Sequence, residues 1–321
     1  MKTYPTFRIF IALTLMATLF SSCSKERFDV ITKDNIVPII DTETFVPVTE
    51  TNKKPIVAVE PVKKTVSSSA DFPFTTPRGT VVKANSYDFT FEDGRWVEYP
   101  IDIQIKELYS PMDMILNGKP TVSDGKILVT AGQVYVTATK DGKNLKLRET
   151  SQFSVSIPSN GNDREMKIFY GQEQSNGNVN WKLAQMQEEF LGQKDSLQSA
   201  IFFGQNNYEI FPSQIGWINC DKFYNYTGAK TSIKLTSTKP EIELISSFLY
   251  LDRIKSIIQI WGGKSLDLPV GEHAKLICFA VTNENNLYSF IKEFNVEENQ
   301  VIDIKLEKTT KEAFLEYLKN L

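Results

Sequence analysis

The chain has 321 residues, 23% of them charged, and a formal net charge of −3. That mild acidity argues against a nucleic-acid partner, which asks for a basic face. With 21 Phe, 12 Tyr and 4 Trp there is enough aromatic bulk to fill a real core, and the length predicts about two domains.

Residues 1–22 have the layout of a secretory signal. Lys2 and Arg8 give a basic start, and no acidic residue precedes Glu26. The apolar run from Ile9 to Phe20 is about half as long as a membrane-spanning helix requires. No later segment is long and apolar enough to span. The run closes in Leu19-Phe20-Ser21-Ser22-Cys23, with small residues just before a cysteine. This resembles the bacterial lipobox, with Phe20 standing where Leu is usual.

The resemblance implies cleavage before Cys23, a diacylglycerol on its sulfur with further acyl chains of the palmitate kind, and a lipid-anchored protein of the outer membrane. An ordinary cleaved signal with an incidental cysteine is the competing reading. Ser24-Lys25-Glu26-Arg27-Phe28-Asp29 is mixed in charge and does not choose between the cell surface and the periplasmic face. Loss of Lys2 and Arg8 with the signal takes the net charge from −3 to −5.

Residues 23–70 read as a Pro/Thr-rich tether. Pro38, Pro47, Pro55 and Pro61 favour an extended, semi-stiff chain, which ends in Ser67-Ser68-Ser69. From Phe72 the hydrophobic period changes to two. Ile101, Ile103 and Ile105 alternate with Asp102 and Gln104. Val134, Val136 and Ala138, then Leu145 and Leu147, then Phe153, Val155 and Ile157 repeat the pattern.

Turn signals divide these runs: Asp93-Gly94, Asn117-Gly118, Asp124-Gly125, Asp141-Gly142 and Asn160-Gly161-Asn162. Pro111–Leu116 predicts a short helical turn. The spacing predicts an antiparallel β-sandwich. Alternation returns at Ile233 and Leu235, at Ile257–Trp261, at Ala274–Val281 and at Ile302, Ile304 and Leu306. Thr309, with Glu312 three residues on, predicts the capped start of a C-terminal helix bearing Phe314, Leu315 and Leu318, packed on the second domain.

The expected fold is mostly β. Two antiparallel β-sandwich domains, over residues 71–200 and 201–321, follow the signal and the tether.

The order Ala84-Asn85-Ser86-Tyr87, Asp93-Gly94, the Ile101–Ile105 strand ending in Glu107, Met112-Asp113-Met114-Ile115, the Asp141-Gly142 hairpin and the Phe153–Pro158 strand resembles a sandwich domain of Bacteroidetes-type envelope lipoproteins of unassigned function. That domain is distantly similar to the ankyrin and netrin-receptor type of β-sandwich. The resemblance covers roughly residues 72–160. Trp217-Ile218-Asn219-Cys220-Asp221 resembles an element that opens a second domain in the same lipoproteins. Some relatives of the ankyrin-type sandwich cleave themselves at a His-Phe-Ser step. Here Ala274 follows His273, so that activity is not implied.

His273 is the single histidine, which leaves no basis for a His-rich zinc site or a Ser-His-Asp triad. There is no Gly-rich phosphate loop and no twelve-residue calcium loop, so no cofactor or metal is expected. Glu107 falls on the apolar face of its strand and is expected at the strand end, in water. Cys220 and Cys278 are the candidate disulfide in an oxidising compartment, and two buried thiols are the alternative. Trp96, Trp181, Trp217 and Trp261, with Tyr224 and Tyr226, are candidates for stacking on a ligand, although aromatics in a sandwich more often fill its core.

The expected activity is non-catalytic: an envelope lipoprotein, joined to the membrane by its lipid, that binds or scaffolds other envelope proteins. The alternative is a surface lipoprotein that binds glycan for uptake.

Overall fold

The computed structural model describes residues 56, 59–160, 163–174, 179–186, 198–237, 245–282 and 284–321. The signal, Cys23 and most of the expected tether lie outside these residues.

The fold is mostly β, with several antiparallel sheets and a short C-terminal helix. The first sandwich holds β1 (Val62–Val66), β2 (Phe74–Thr75), β3 (Val81–Lys83), β4 (Phe89–Phe91), β5 (Ile101–Leu108), α1 (Pro111–Leu116), β6 (Val122–Ser123) and β7 (Lys126–Lys140). It continues through β8 (Lys143–Leu147), β9 (Ser154–Pro158), β10 (Lys167–Glu173), β11 (Val179–Leu183), β12 (Ala200–Phe203), β13 (Asn207–Phe211) and β14 (Gly216–Phe223).

Its larger sheet runs β1-β5-β7-β14-β10-β11, with β4, β6 and β8 attached, and its smaller sheet runs β12-β13-β9-β3-β2. Alternation builds the core between them. Ile103 pairs with Ala138 and Ile105 with Val136 in register, and all four are buried. Val155, Ile157, Tyr208 and Ile210 meet them from the smaller sheet.

The second sandwich holds β15 (Lys230–Thr231), β16 (Lys234–Ser237), β17 (Ser246–Leu251), β18 (Ser256–Ile260), β19 (Leu268–Pro269) and β20 (His273–Val281). β21 (Leu287–Asn295), β22 (Val301–Ile304), β23 (Glu307–Thr309) and α2 (Lys311–Lys319) complete it. A sheet ordered β18-β17-β20-β21-β23 faces the parallel pair β16–β22. Leu249, Leu276 and Cys278 pack there against Leu235, Ile302 and Ile304.

A third core joins the two sandwiches. Phe169, Trp181 and Trp217 come from the outer face of the large sheet. Phe248, Tyr250 and Ile277 come from the second sandwich, Met114 and Ile115 from α1, and Phe314 and Leu318 from α2. Each such side chain is worth about 1.5–3 kcal/mol when buried. Parting the sandwiches therefore costs on the order of a whole domain's stability. The C-terminal helix thus does more than the expected packing on the second domain.

Three boundaries differ from expectation. β12, β13 and β14 belong to the first sandwich, since β14 lies between β7 and β10 and β13 pairs with β9. The first domain therefore extends to Phe223 rather than ending at residue 200. The end of the expected tether is folded: β1 pairs with β5, Val66 enters the first core, and Ile56 and Val59 pack on the third. Thr309 is taken into β23 opposite Leu287, so Thr310 caps α2, its Oγ1 accepting from Ala313 N at 3.1 Å.

Candidate binding site

Two neighbouring aromatics stand out on the surface of the first sandwich. Tyr87 is 70% exposed and Trp96 62%, and their rings meet edge to face at 6.0 Å. Local chemistry holds both. Asn85 starts a 3₁₀ turn over Ser86–Asp88, its side chain accepting from Tyr87 N at 2.8 Å, while Asp88 Oδ2 accepts from Asn85 N at 2.8 Å. Buried Asp88 also accepts from Gln152 N at 2.6 Å, which pins the turn to the body.

Trp96 sits on the return of a tight hairpin. Thr90 Oγ1 donates to Arg95 O there at 2.8 Å, and Gly94 takes φ +85°. The Arg148 guanidinium lies over the indole, 3.7 Å from the ring centroid. An exposed indole held this way is a preorganised stacking surface. The sequence reading found Trp96 but not Tyr87 and Arg148 as its partners. The Asn85…Asp88 spacing was the available signal.

The other tryptophans divide. Trp261 is 43% exposed and stands apart, beside the Gly262-Gly263 turn. Trp181 and Trp217 are core residues, which corrects their candidacy as ligand platforms. Their rings meet edge to face at 6.4 Å. Trp181 Nε1 donates to Pro120 O at 2.6 Å and Trp217 Nε1 to Glu173 Oε1 at 2.9 Å. Both indole donors are thus satisfied within the third core.

Cys220 and Cys278 are free and buried, the second of the two readings and not the candidate disulfide. The physical reason is location: Cys220 packs in the first core and Cys278 in the second. Burial pushes the Cys220 thiol well up and Cys278 to about 12, so neither offers a thiolate at neutral pH. Cys23 lies outside the described residues.

Glu107 is 2% exposed, against the expectation of a strand end in water. Its Oε1 accepts from Thr76 Oγ1 at 2.7 Å and from Thr80 Oγ1. Arg78 Nη1 donates to Glu107 O at 2.8 Å, and Nη2 donates to Asp113 Oδ2 at 2.6 Å. This knot ties the β2–β3 turn to the end of β5 and the start of α1. Hydroxyl groups of Thr76 and Thr80 satisfy the carboxyl group inside, which is why a polar side chain on an apolar face is tolerated.

Asp221 is the more unusual acid. It is fully buried at a bulge between β14 and β7, and its Oδ2 accepts from Asn219 Nδ2 at 2.6 Å. Burial pushes its carboxyl well above the usual range and outweighs the Asn219 amide.

His273 Nδ1 lies 2.9 Å from Asp252 Oδ2 at the rim of the second sandwich. Among the described residues, no three His, Cys, Asp or Glu side chains gather as a metal site, and no helix is long and apolar enough to cross a membrane. Compared with known proteins, the chain matches no family model and no curated protein.

Proposed function

We propose that the chain is a non-catalytic envelope lipoprotein, anchored at the outer membrane through Cys23, that binds or scaffolds other envelope components. The observation that carries this reading is the third core. It makes the two sandwiches one stiff body whose outward edges and loops hold fixed positions, as a scaffold needs. The edge strand β1 exposes Lys63 and Lys64, which discourages indiscriminate strand pairing and leaves recognition to side chains. The resemblance to envelope lipoproteins of the Bacteroidetes type agrees with this reading.

The test is in-cell crosslinking from a photoreactive residue placed at Tyr87, followed by membrane fractionation. A discrete adduct with one envelope component, lost in Cys23→Ala, supports the proposal. A wild-type chain recovered in the soluble fraction, or one giving no adduct, counts against it.

The exposed Trp96–Tyr87 pair favours a second reading, a surface protein that binds carbohydrate for glycan uptake. An oligosaccharide panel read by tryptophan fluorescence tests it. Ligands that quench the wild type and not Trp96→Ala support it, and a panel without any response counts against it.

A further inference from the structure

A cleft of about 1490 Å³ opens between the loops at one end of the first sandwich and the β17–β18 turn. It is larger than the roughly 300–1,000 Å³ of pockets that hold one small ligand, so it suits an extended occupant.

Its charge is opposite to that of the chain. Arg164, Lys222, Arg253 and Lys255 line it against a single carboxylate, Asp163, in a protein of net charge −3. Lys222 is paired with Asp163 and Glu165, both at 2.8 Å, which fixes that wall. Arg164, Arg253 and Lys255 are exposed and form no ion pair among the described residues. Three cations left without acids concentrate positive potential in one concavity.

The backbone of Lys255 is tied to the first sandwich. Thr130 N donates to Lys255 O at 3.4 Å, and Lys255 takes φ +51° in its turn. The site therefore needs both sandwiches, and the third core sets its width. The rest of the lining is mixed: Thr130, Ser159, Asn160 and Asn206 supply hydroxyls and amides, Tyr224 a phenol ring, and Val129, Pro158 and Ile254 apolar surface. Tyr224 stacks on Tyr226 at 6.0 Å and 12°. The half-buried Tyr224 ring and the exposed Asn160 and Asn206 amides suit a sugar ring and its hydroxyls, and the unpaired cations suit acidic substituents.

We infer that this cleft binds an anionic oligosaccharide, a chain of sugar rings bearing carboxylates or sulfates. The inference rests on the carbohydrate reading above and gives it a ligand class and a place distinct from Trp96.

The test uses the whole folded body and three probes: a chondroitin sulfate hexasaccharide, its desulfated and carboxyl-reduced counterpart, and an oligodeoxythymidylate of similar charge. The variant is Arg253→Ser with Lys255→Asn, since Asn accepts the positive φ of position 255. Calorimetric titration at low salt is expected to show binding of the sulfated hexasaccharide alone. The double variant should weaken it at least tenfold, and Trp96→Ala should leave it unchanged. A thermal melt checks that the variant is folded.

Equal binding of the oligodeoxythymidylate overturns the inference, because the cleft would then read charge alone. Binding of the neutral counterpart that is lost in Trp96→Ala and kept in the double variant also overturns it, while leaving the carbohydrate reading intact. No binding of any sugar in this titration and in the wider panel brings down both.

Discussion

Thr121 and Ile257 are joined by three hydrogen bonds across the junction of the sandwiches, the longest from Thr121 Oγ1 to Ile257 O at 3.2 Å. Thr121 N donates to Ile257 O and Ile257 N donates to Thr121 Oγ1, each at 2.8 Å. Both residues are fully or almost fully buried. Thr121→Val keeps the shape and leaves the Ile257 N–H without its acceptor. The expected cost is about 1–3 kcal/mol. Because the third core couples the sandwiches, urea unfolding should stay a single transition with a lower midpoint. Two separated transitions in the wild type would show that the junction is weaker than its packing implies.

Trp96 and Trp181 should respond oppositely to truncation. Trp181→Ala removes a fully buried side chain and its bond to Pro120, and should cost about 3–5 kcal/mol. Trp96→Ala removes an exposed ring stacked by Arg148, worth about 0.5–1 kcal/mol at such sites. Denaturation midpoints compare the two. Similar losses at both positions would contradict the division between core and surface drawn here.

Asp221 sets a pH dependence. Its folded-state pKa lies well above the ordinary value of 3.8. Below that value both folded and unfolded chains hold the proton, and the stability is fully present. As pH rises toward the folded pKa, only the unfolded chain releases the proton, so stability falls. Asp221→Asn cannot ionise. Its urea midpoint should gain on the wild type between about pH 4 and pH 7. Parallel curves for the two proteins would mean that Asp221 is ionised in the fold.

The buried thiols predict silence toward thiol reagents. In a Cys23→Ser chain, Ellman's reagent should find no reactive thiol in the native state and both Cys220 and Cys278 after denaturation. Reductant should leave the melting temperature unchanged. A melt that drops on reduction would restore the disulfide.

Strands with one wet face were legible from the sequence. Ile101, Ile103 and Ile105 alternate with polar residues because β5 turns one side to the core. The antiparallel sandwich class and the Pro111–Leu116 turn follow from such patterns and turn residues.

What escaped lies where both faces are buried. In β14, Ile218 and Cys220 enter the first core while Trp217 enters the third, so Trp217–Asp221 shows no alternation. Such a strand reads as a dense motif and not as the middle of a sheet, and the domain boundary was displaced with it. Two buried faces also explain why Trp217 looked available for a ligand. Glu107 was misplaced because its partners, Thr76 and Thr80, lie about thirty residues away and act through hydroxyls, which leave no periodic trace.

α2 follows every other described element along the chain. Synthesis runs in that same direction, so α2 reaches the third core after the strands. Until Phe314 and Leu318 arrive, the faces of Phe248 and Phe279 that they cover stay wet, although every strand of both sandwiches has already been made. Without the docked helix the body would carry an open apolar seam, the kind of surface that chaperones hold. A chain lacking Lys311–Lys319 should therefore build the strands of both sandwiches and still leave this seam open to an apolar dye.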